Sequence, residues 1–313
     1  MTFISKDSRD GTLYEYYIGS DGKRKRRSLG VKSFSPLLFD FRDKVLEYAK
    51  AFHSFGTFQL YESTFKYFCE LVGDVPIDSI TPLQIESFKI SRLQKVTPSR
   101  VNIYLRNLKA AFNHAISWGL LSKNPANGIK KLREYQVERK IFKPDEIERL
   151  LAVVDYKPLY KLIVVALYSG CRLSELLHLQ YNDIDWIEKS FIIRNKESFT
   201  TKSGKVRRIP ISNKIPIEWL QSDKLQDYIF RNCKGKRNTK DYMGQLMRKY
   251  VQNAGLETKL TFHCLRHTFI TNLLRKGVSI YIVKKLAGHA DIKTTEIYAH
   301  LVTDDLKEAV NCL

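Results

Sequence analysis

The most informative residues of the chain lie in the heptapeptide TFHCLRH at residues 261–267 and in the tetrapeptide LAGH at residues 286–289, which Tyr298 follows. His263 and Arg266 are three residues apart, so on a helix they lie on one face. The glycine of the tetrapeptide indicates a helix end and a turn. Imidazoles, a guanidinium and a phenol are therefore concentrated in one region, and this set suits transfer of a phosphoryl group to tyrosine.

Two upstream segments extend this pattern. SGCRLSE at residues 169–175 follows an apolar run, and TKSGKVRRIPI at residues 201–211 is typical of a hairpin with Lys202 near its tip. In order and approximate spacing, the set resembles the tyrosine recombinase (phage integrase) family, from about Pro36 to the C-terminus. The residues that carry the resemblance are Gly170, Arg172, Glu175, Lys202, His263, Arg266, Gly288, His289 and Tyr298.

Composition restricts the possible partners. The chain has 313 residues, a net charge of +20 and 43% hydrophobic residues, which indicates a basic globular protein with two domains and an accessory piece. A polyanion is the expected partner, and double-stranded DNA is the first choice. No run is long enough for a membrane helix, and the first residues lack the pattern of a signal peptide. We expect a cytoplasmic, nucleoid-associated protein.

The cysteines argue against metal and disulfide frameworks. There are five, widely scattered, and none forms a C-x-x-C pair. His263, Cys264 and His267 lie close in sequence, but a tetrahedral site would need further ligands nearby. We expect no metal site.

Residues 1–33 are predicted to form a basic β-hairpin that turns at Asp21-Gly22. One interpretation is a solvated hairpin whose charges protect an edge strand. The other is a ribbon laid against DNA, loosely similar to the arm-binding modules of many integrases. Under the second interpretation the DNA-binding residues are Lys23, Arg24, Lys25, Arg26 and Arg27.

Residues 35–132 are predicted to be helical, with helices over 36–53, 58–72, 82–94 and 98–118. In the last of these an apolar stripe recurs at helical spacing and is expected to be buried. The region resembles the family's core-binding, SAM-like domain. The basic residues predicted to contact phosphates there are Arg100, Arg106 and Lys109, although such charges are usually just a solvated face.

Residues 138–313 are predicted to form the catalytic domain, after a charged linker at residues 130–140. The expected elements include a buried helix at 159–167, a strand at 186–194, the hairpin at 202–211, and helices at 241–254 and 267–276. The predicted fold class is mainly α with a small antiparallel sheet.

The resemblance implies roles for the matched residues. Arg172 and Arg266 bind the phosphate, because a guanidinium pairs with phosphate bidentately and stays charged. Tyr298 is the nucleophile, and His263 takes or shares its proton. His289 hydrogen-bonds the scissile phosphate. The phosphotyrosine retains the energy of the broken bond, so neither ATP nor a metal cofactor is expected.

Three further assignments keep alternatives. Lys202 is the expected acid for the departing 5′ oxygen, with Lys205 as its rival. Glu175 is expected to orient the site by bonding His263 or Arg172; otherwise it is a helix-surface acid. His267 either supports the site or packs in the core. Tyr281, in an apolar run before Gly288, is expected to pack.

The resemblance implies a site-specific recombinase or integrase of a mobile element that uses a 3′-phosphotyrosine intermediate. The alternatives are a Xer-like resolver of chromosome dimers, a type IB topoisomerase-like relaxer, and a DNA-binding regulator without catalysis. Tetramers on DNA are expected, with or without an accessory DNA-bending protein. The tail after Tyr298 is expected to dock on a neighbouring protomer through Leu301, Leu306, Ala309 and Val310.

Overall fold

The structure is a computed structural model that describes residues 3–6, 12–19, 21–32, 35–134, 139–196, 199, 204–221, 227–232 and 234–298. Lys202 and the tail after Tyr298 lie outside these residues. The chain divides into two compact units, Met1–Gln136 and Val137–Leu313. The described elements are mainly helical with two small antiparallel sheets, which confirms the predicted fold class.

The first unit begins with a three-stranded antiparallel sheet in the order β1-β2-β3. Its strands are β1 (Phe3–Lys6), β2 (Thr12–Ile18) and β3 (Arg24–Lys32). The predicted hairpin corresponds to β2 and β3, joined at Gly22, which has φ of 73°. The short strand β1 was not predicted, because four residues carry little alternation.

Four α-helices follow in this unit: α1 (Leu38–Phe52), α2 (Phe55–Val72), α3 (Pro82–Leu93) and α4 (Pro98–Ser117). Ser54 caps α2 by accepting from the Thr57 backbone N–H, so this helix begins three residues before the predicted start. The predicted stripe of α4 is buried, and it packs in a core rich in phenylalanine. That core includes Phe41, Phe65, Phe68, Phe88 and Phe112.

The second unit contains the remaining helices. They are α5 (Pro144–Val153), α6 (Lys157–Ser169), α7 (Leu173–Leu177), α8 (Lys240–Asn253), α9 (Phe262–Arg275), α10 (Ile280–Ala287) and α11 (Lys293–Glu296). Helix α6 lies in the core, as its apolar sequence predicted. Helix α9 begins five residues earlier than predicted, so the H-x-x-R pair lies in its first two turns.

A second antiparallel sheet has the order β4-β5-β6. Its strands are β4 (Ile184–Asp185), β5 (Ser190–Ile193) and β6 (Arg207–Pro210). The strand predicted over 186–194 was wrong in its first half, which forms a turn with Lys189 at φ of 45°. The misleading signal was Trp186-Ile187, two apolar side chains that are exposed.

The packing predicted for Tyr281 was also wrong, since 74% of this residue is exposed. Helix α10 is short and buries Val283 and Ala287 on its other face. No α-helix among the described residues has both the length and the apolar character needed to cross a membrane.

Candidate active site

Arg172 is positioned by the break between α6 and α7. Gly170 ends α6 with φ of 63°, and a Cβ there would lie 2.3 Å from the Phe269 ring. Any larger residue would therefore displace the turn that carries Arg172. The Arg172 backbone N–H donates to Glu175 Oε2 at 2.8 Å, and Nη1 donates to Oε1 at 2.9 Å. Glu175 thereby orients the guanidinium, one of the two bonds considered for it.

Glu175 also bonds a second arginine that the sequence analysis missed. Arg207 of β6 donates from Nη1 to Oε1 at 3.0 Å and from Nη2 to Oε2 at 2.7 Å. Its Nε donates to the Leu286 carbonyl at the end of α10. Burial alternates along β6, so Arg207 shares the buried face with Ile209. Alternating burial could have indicated that Arg207 is buried, but an arginine in the sequence does not show as a buried position.

The carboxylate of Glu175 is 2% exposed, so the helix-surface alternative was wrong. Burial alone would raise the pKa of this carboxyl. The hydrogen bonds and charge of Arg207, and then those of Arg172, outweigh burial and lower the pKa to about 2. Glu175 is therefore ionised at neutral pH and balances the two guanidiniums.

Arg266 connects three elements from within α9. It is 2% exposed, and its Nη1 and Nη2 donate to the Gly170 carbonyl at 2.7 Å and the Ala287 carbonyl at 2.6 Å. Burial, and then the charge of Arg172, lower the pKa of Arg266 to about 10. The guanidinium remains charged at neutral pH while it joins the ends of α6 and α10.

A cavity of about 620 Å³ brings three of the predicted catalytic side chains together. Arg172, His263 and Arg266 line it, as do Lys240 and Arg248 of α8. Four cationic side chains in one concavity favour an anionic ligand. The sequence analysis did not assign the two α8 residues.

Tyr298 lies beside this cluster, buried to 1% exposure. Its hydroxyl is 2.5 Å from Nδ1 of His267, and its ring stacks on His289 with centroids 6.4 Å apart. The imidazole at the hydroxyl is that of His267. The ring centroid of His263, the predicted proton acceptor, lies 4.5 Å from that of His267. Arg139, from the segment before α5, lies over the ring with its Cζ 5.4 Å from the centroid.

Burial also sets the protonation of these groups. It lowers the pKa of His267 and of His289 to about 3, aided by nearby cationic and imidazole groups, so both rings are neutral at pH 7. Burial raises the pKa of the Tyr298 phenol, and the charges of Arg139 and Arg266 partly offset this rise. The hydrogen bond between Tyr298 and His267 thus joins a neutral phenol and a neutral imidazole.

His289 follows a helix end that only glycine fits without strain. Gly288 has φ of 67°, and a Cβ there would lie 2.9 Å from Cδ and Nη1 of Arg207. His289 is then held by a hydrogen bond between its Nδ1 and Oγ1 of Thr295, at 2.9 Å. The predicted helix end before His289 is confirmed.

The segment that carries Lys202 connects β5 to β6. Lys205 is described and exposed. Lys196, at the other end of the segment, donates to the His178 carbonyl and to Gln180 Oε1, both at 2.8 Å, and pairs with the buried Asp183. This lysine anchors the base of the segment.

The predicted DNA-binding residues of the first unit are mostly exposed. Lys23, Arg24, Lys25, Arg26 and Arg27 are exposed on β3 and its turn. Lys25 pairs with Asp21, Arg27 pairs with Glu15, and Arg26 lies over the Tyr14 ring. On α4, Arg106 and Lys109 are exposed, whereas Arg100 is partly buried and donates to the Tyr104 hydroxyl.

Comparisons with known proteins agree with this architecture. The model of the phage integrase family matches residues 140–304, and that of the phage integrase SAM-like domain matches residues 37–139. Tyrosine recombinase XerA of Pyrococcus horikoshii is 34% identical over 67% of this chain and 72% of its own. A tyrosine recombinase of Pseudothermotoga lettingae is 29% identical over 79% of this chain and 88% of its own.

Solved structures share the fold at lower identity. The Tn1549 transposon integrase in complex with transposon right end DNA has a TM-score of 0.72 at 23% identity, covering 88% of this chain and 99% of that one. A lambda integrase tetramer bound to a Holliday junction has a TM-score of 0.71 at 17% identity, covering 94% of each chain. Fold and relatives together define a tyrosine recombinase, an enzyme class that breaks and rejoins DNA. The chain belongs to the phage integrase family.

Proposed function

We propose that this chain is the integrase of a mobile genetic element and that Tyr298 attacks the scissile phosphate. The observation that carries the proposal is the cavity that Arg172, His263 and Arg266 share. Two of these residues lie on α9, the helix that also carries the His267 imidazole at the Tyr298 hydroxyl. The two guanidiniums stabilise charge on the non-bridging oxygens, which is the main requirement of phosphoryl transfer.

In the proposed step the Tyr298 oxygen forms a bond to phosphorus and the bond from phosphorus to the 5′ oxygen breaks. The phenol loses its proton to His263, and the 5′ oxygen gains a proton from Lys202, or from its rival Lys205. His289 hydrogen-bonds the phosphate. Attack by a 5′ hydroxyl reverses the step and rejoins the strand, so the step itself consumes neither ATP nor a redox cofactor.

The buried position of Tyr298 supports a resting state in the DNA-free protein. A side chain that is 1% exposed must be uncovered before it reaches phosphate. We propose that docking of the DNA, and of the tail of a neighbouring protomer, supplies this change. Assembly into a tetramer on DNA, with or without an accessory bending protein, follows from the same proposal, as does a location at the nucleoid in the cytoplasm.

The domain roles belong to this proposal. Residues 138–313 carry catalysis, residues 35–132 bind the core site, and the basic sheet at 1–33 binds a second DNA site. The basic sheet favours an integrase over a Xer-like resolver, which is the second candidate. A type IB topoisomerase-like relaxer would cleave DNA in the same way without exchanging partners.

The nucleophile is tested with nicked duplexes that carry candidate attachment sites. Tyr298→Phe should bind these duplexes but form no covalent protein–DNA adduct, because only the hydroxyl is lost. Tyr281→Phe is the matched control: this exposed tyrosine is on α10, and its variant should form adduct at the normal yield. An undiminished adduct from Tyr298→Phe would refute the assignment.

A further inference from the structure

The segment before α5 places a cation against Tyr298. The Cζ of Arg139 lies 5.4 Å from the centroid of the phenol ring, within the roughly 6 Å at which a cation and an aromatic ring attract. The charge of Arg139 also lowers the pKa of Tyr298, in opposition to the burial that raises it. In the sequence, this residue belongs to the predicted charged linker at residues 130–140.

The environment of Tyr298 explains why a cation matters there. Burial disfavours the phenolate, and the neighbouring imidazoles are poor proton acceptors, because the pKa values of His267 and His289 are about 3. The phenolate must therefore be stabilised by positive charge. The titratable and charged groups that act on Tyr298 are Arg139 before α5, Cys264, Arg266 and His267 of α9, and His289 after α10.

The two arginines in this set differ in what else they bond. Arg266 uses both Nη atoms on the carbonyls of Gly170 and Ala287. It also lines the cavity assigned to phosphate. Arg139 is half-buried, lies over the ring itself and does not line that cavity. Its position fits the stabilisation of the nucleophile.

We propose that Arg139 is a further active-site residue, which holds Tyr298 in place and favours the phenolate that attacks phosphorus. The proposal rests on Tyr298 as nucleophile. It also gives the segment before α5 a direct effect on chemistry, so that movement of this segment changes the reactivity of the tyrosine.

The ionisation of residue 298 is measured first in the DNA-free protein. Tyr298 is replaced by 3,5-difluorotyrosine, whose fluorines lower the ionisation pH of the phenol into a range where the protein is folded. The ¹⁹F shift is then followed against pH. Arg139→Ala should move the transition upward by about one pH unit, and Arg139→Gln by a similar amount, whereas Arg139→Lys should retain most of the wild-type position.

The matched control is Lys140→Ala. Lys140 is the next residue, carries the same charge and pairs with Glu257 at 3.3 Å, away from the phenol. Its loss should leave the transition unchanged. Equal transitions in Arg139→Ala, Arg139→Gln and wild type would overturn the proposal. Circular dichroism identifies a variant that does not fold, and the Gln and Lys variants then decide the question.

The rate of adduct formation is the second measurement. With saturating nicked duplex at neutral pH, Arg139→Ala should react about tenfold more slowly, with its pH–rate profile displaced upward. Lys140→Ala should weaken binding without displacing the profile. If Arg139→Ala only weakens binding as Lys140→Ala does, Arg139 is a phosphate contact and the proposal fails. If Tyr298→Phe still forms adduct, the proposed function itself fails.

Discussion

A buried carboxylate between two guanidiniums determines the charge balance of the active site. Glu175 bonds Arg172 and Arg207, and Arg207 in turn bonds the carbonyl of Leu286. Without the carboxylate, the buried guanidinium of Arg207 would lack its counter-charge in a medium that stabilises isolated charge poorly. The ion pair therefore holds the sheet and the end of α10 as well as Arg172.

Glu175→Gln should lower the free energy of unfolding at pH 7 by about 3 kcal/mol, because a buried pair loses one partner. The folded pKa of about 2 lies below the ordinary 4.5, so the stabilisation is complete above pH 4.5 and is lost as pH falls towards 2. Urea unfolding at several pH values should show the difference between variant and wild type narrowing in acid.

Asp145→Asn provides the control for this experiment. Asp145 pairs with Arg149 on the exposed surface of α5, at 3.2 Å, and its loss should cost under about 1 kcal/mol at pH 7. A constant difference between Glu175→Gln and wild type across the pH range would contradict the assigned ionisation.

The helices α9 and α10 are both followed by a glycine, but only the glycine after α10 lies against an active-site residue. Gly288 ends α10 and contacts Arg207 closely. Gly277 follows α9 with φ of 73°, and a Cβ there would meet nothing within 4 Å. The two glycines have the same backbone conformation but different surroundings.

Gly288→Ala and Gly277→Ala should each destabilise the protein by about 1 kcal/mol, because alanine is strained at positive φ. Only Gly288→Ala should also reduce the rate of adduct formation, by about tenfold or more, since Arg207 must shift and His289 with it. Thermal unfolding and single-turnover cleavage measure the two effects. A similar cleavage rate in both variants would show that the contact has no catalytic consequence.

Helix patterns predicted most elements, because apolar periodicity and the caps at Thr81 and Thr97 are local signals. Prediction failed where tertiary contacts decide. The strand was predicted to begin at Trp186 because aromatic residues are common in strands, but this side chain is exposed in a turn. Arg207 could not be assigned, because its partner Glu175 is distant in sequence and an arginine in a strand is usually solvated. The same holds for Arg139, whose contact with Tyr298 depends on the packing of α9.

At the scale of the whole molecule, a net charge of +20 predicts binding to a polyanion through many phosphate contacts. If the N-terminal sheet binds DNA as proposed, its cations should not contribute equally to the affinity. Arg27 pairs with Glu15 at 2.6 Å and Lys25 pairs with Asp21 at 3.0 Å, so part of their charge is already balanced. Lys23 and Arg24 are exposed at the turn and the start of β3.

Replacing Lys23 and Arg24 together by alanine should reduce the slope of log affinity against log salt by about 2, because each lost phosphate contact contributes about 0.9. Replacing Lys25 and Arg27 instead should reduce it less. Fluorescence anisotropy at salt concentrations from about 50 to about 200 mM measures the slopes of both variants. Unchanged slopes in both variants would show that the sheet is a solvated hairpin that does not contact DNA. Both variants should still cleave a core site.

A hydrogen bond and an ion pair join residues at the base of the connection between β5 and β6. Asn195 Nδ2 donates to the Gly204 carbonyl at 3.1 Å, and Lys196 is fixed beside it on Asp183. Asn195 and Gly204 precede and follow the residues that connect β5 to β6, so the chain returns to the sheet beside the point where it leaves. The entropy of closing this connection is therefore lost when the protein folds, and not when it binds DNA.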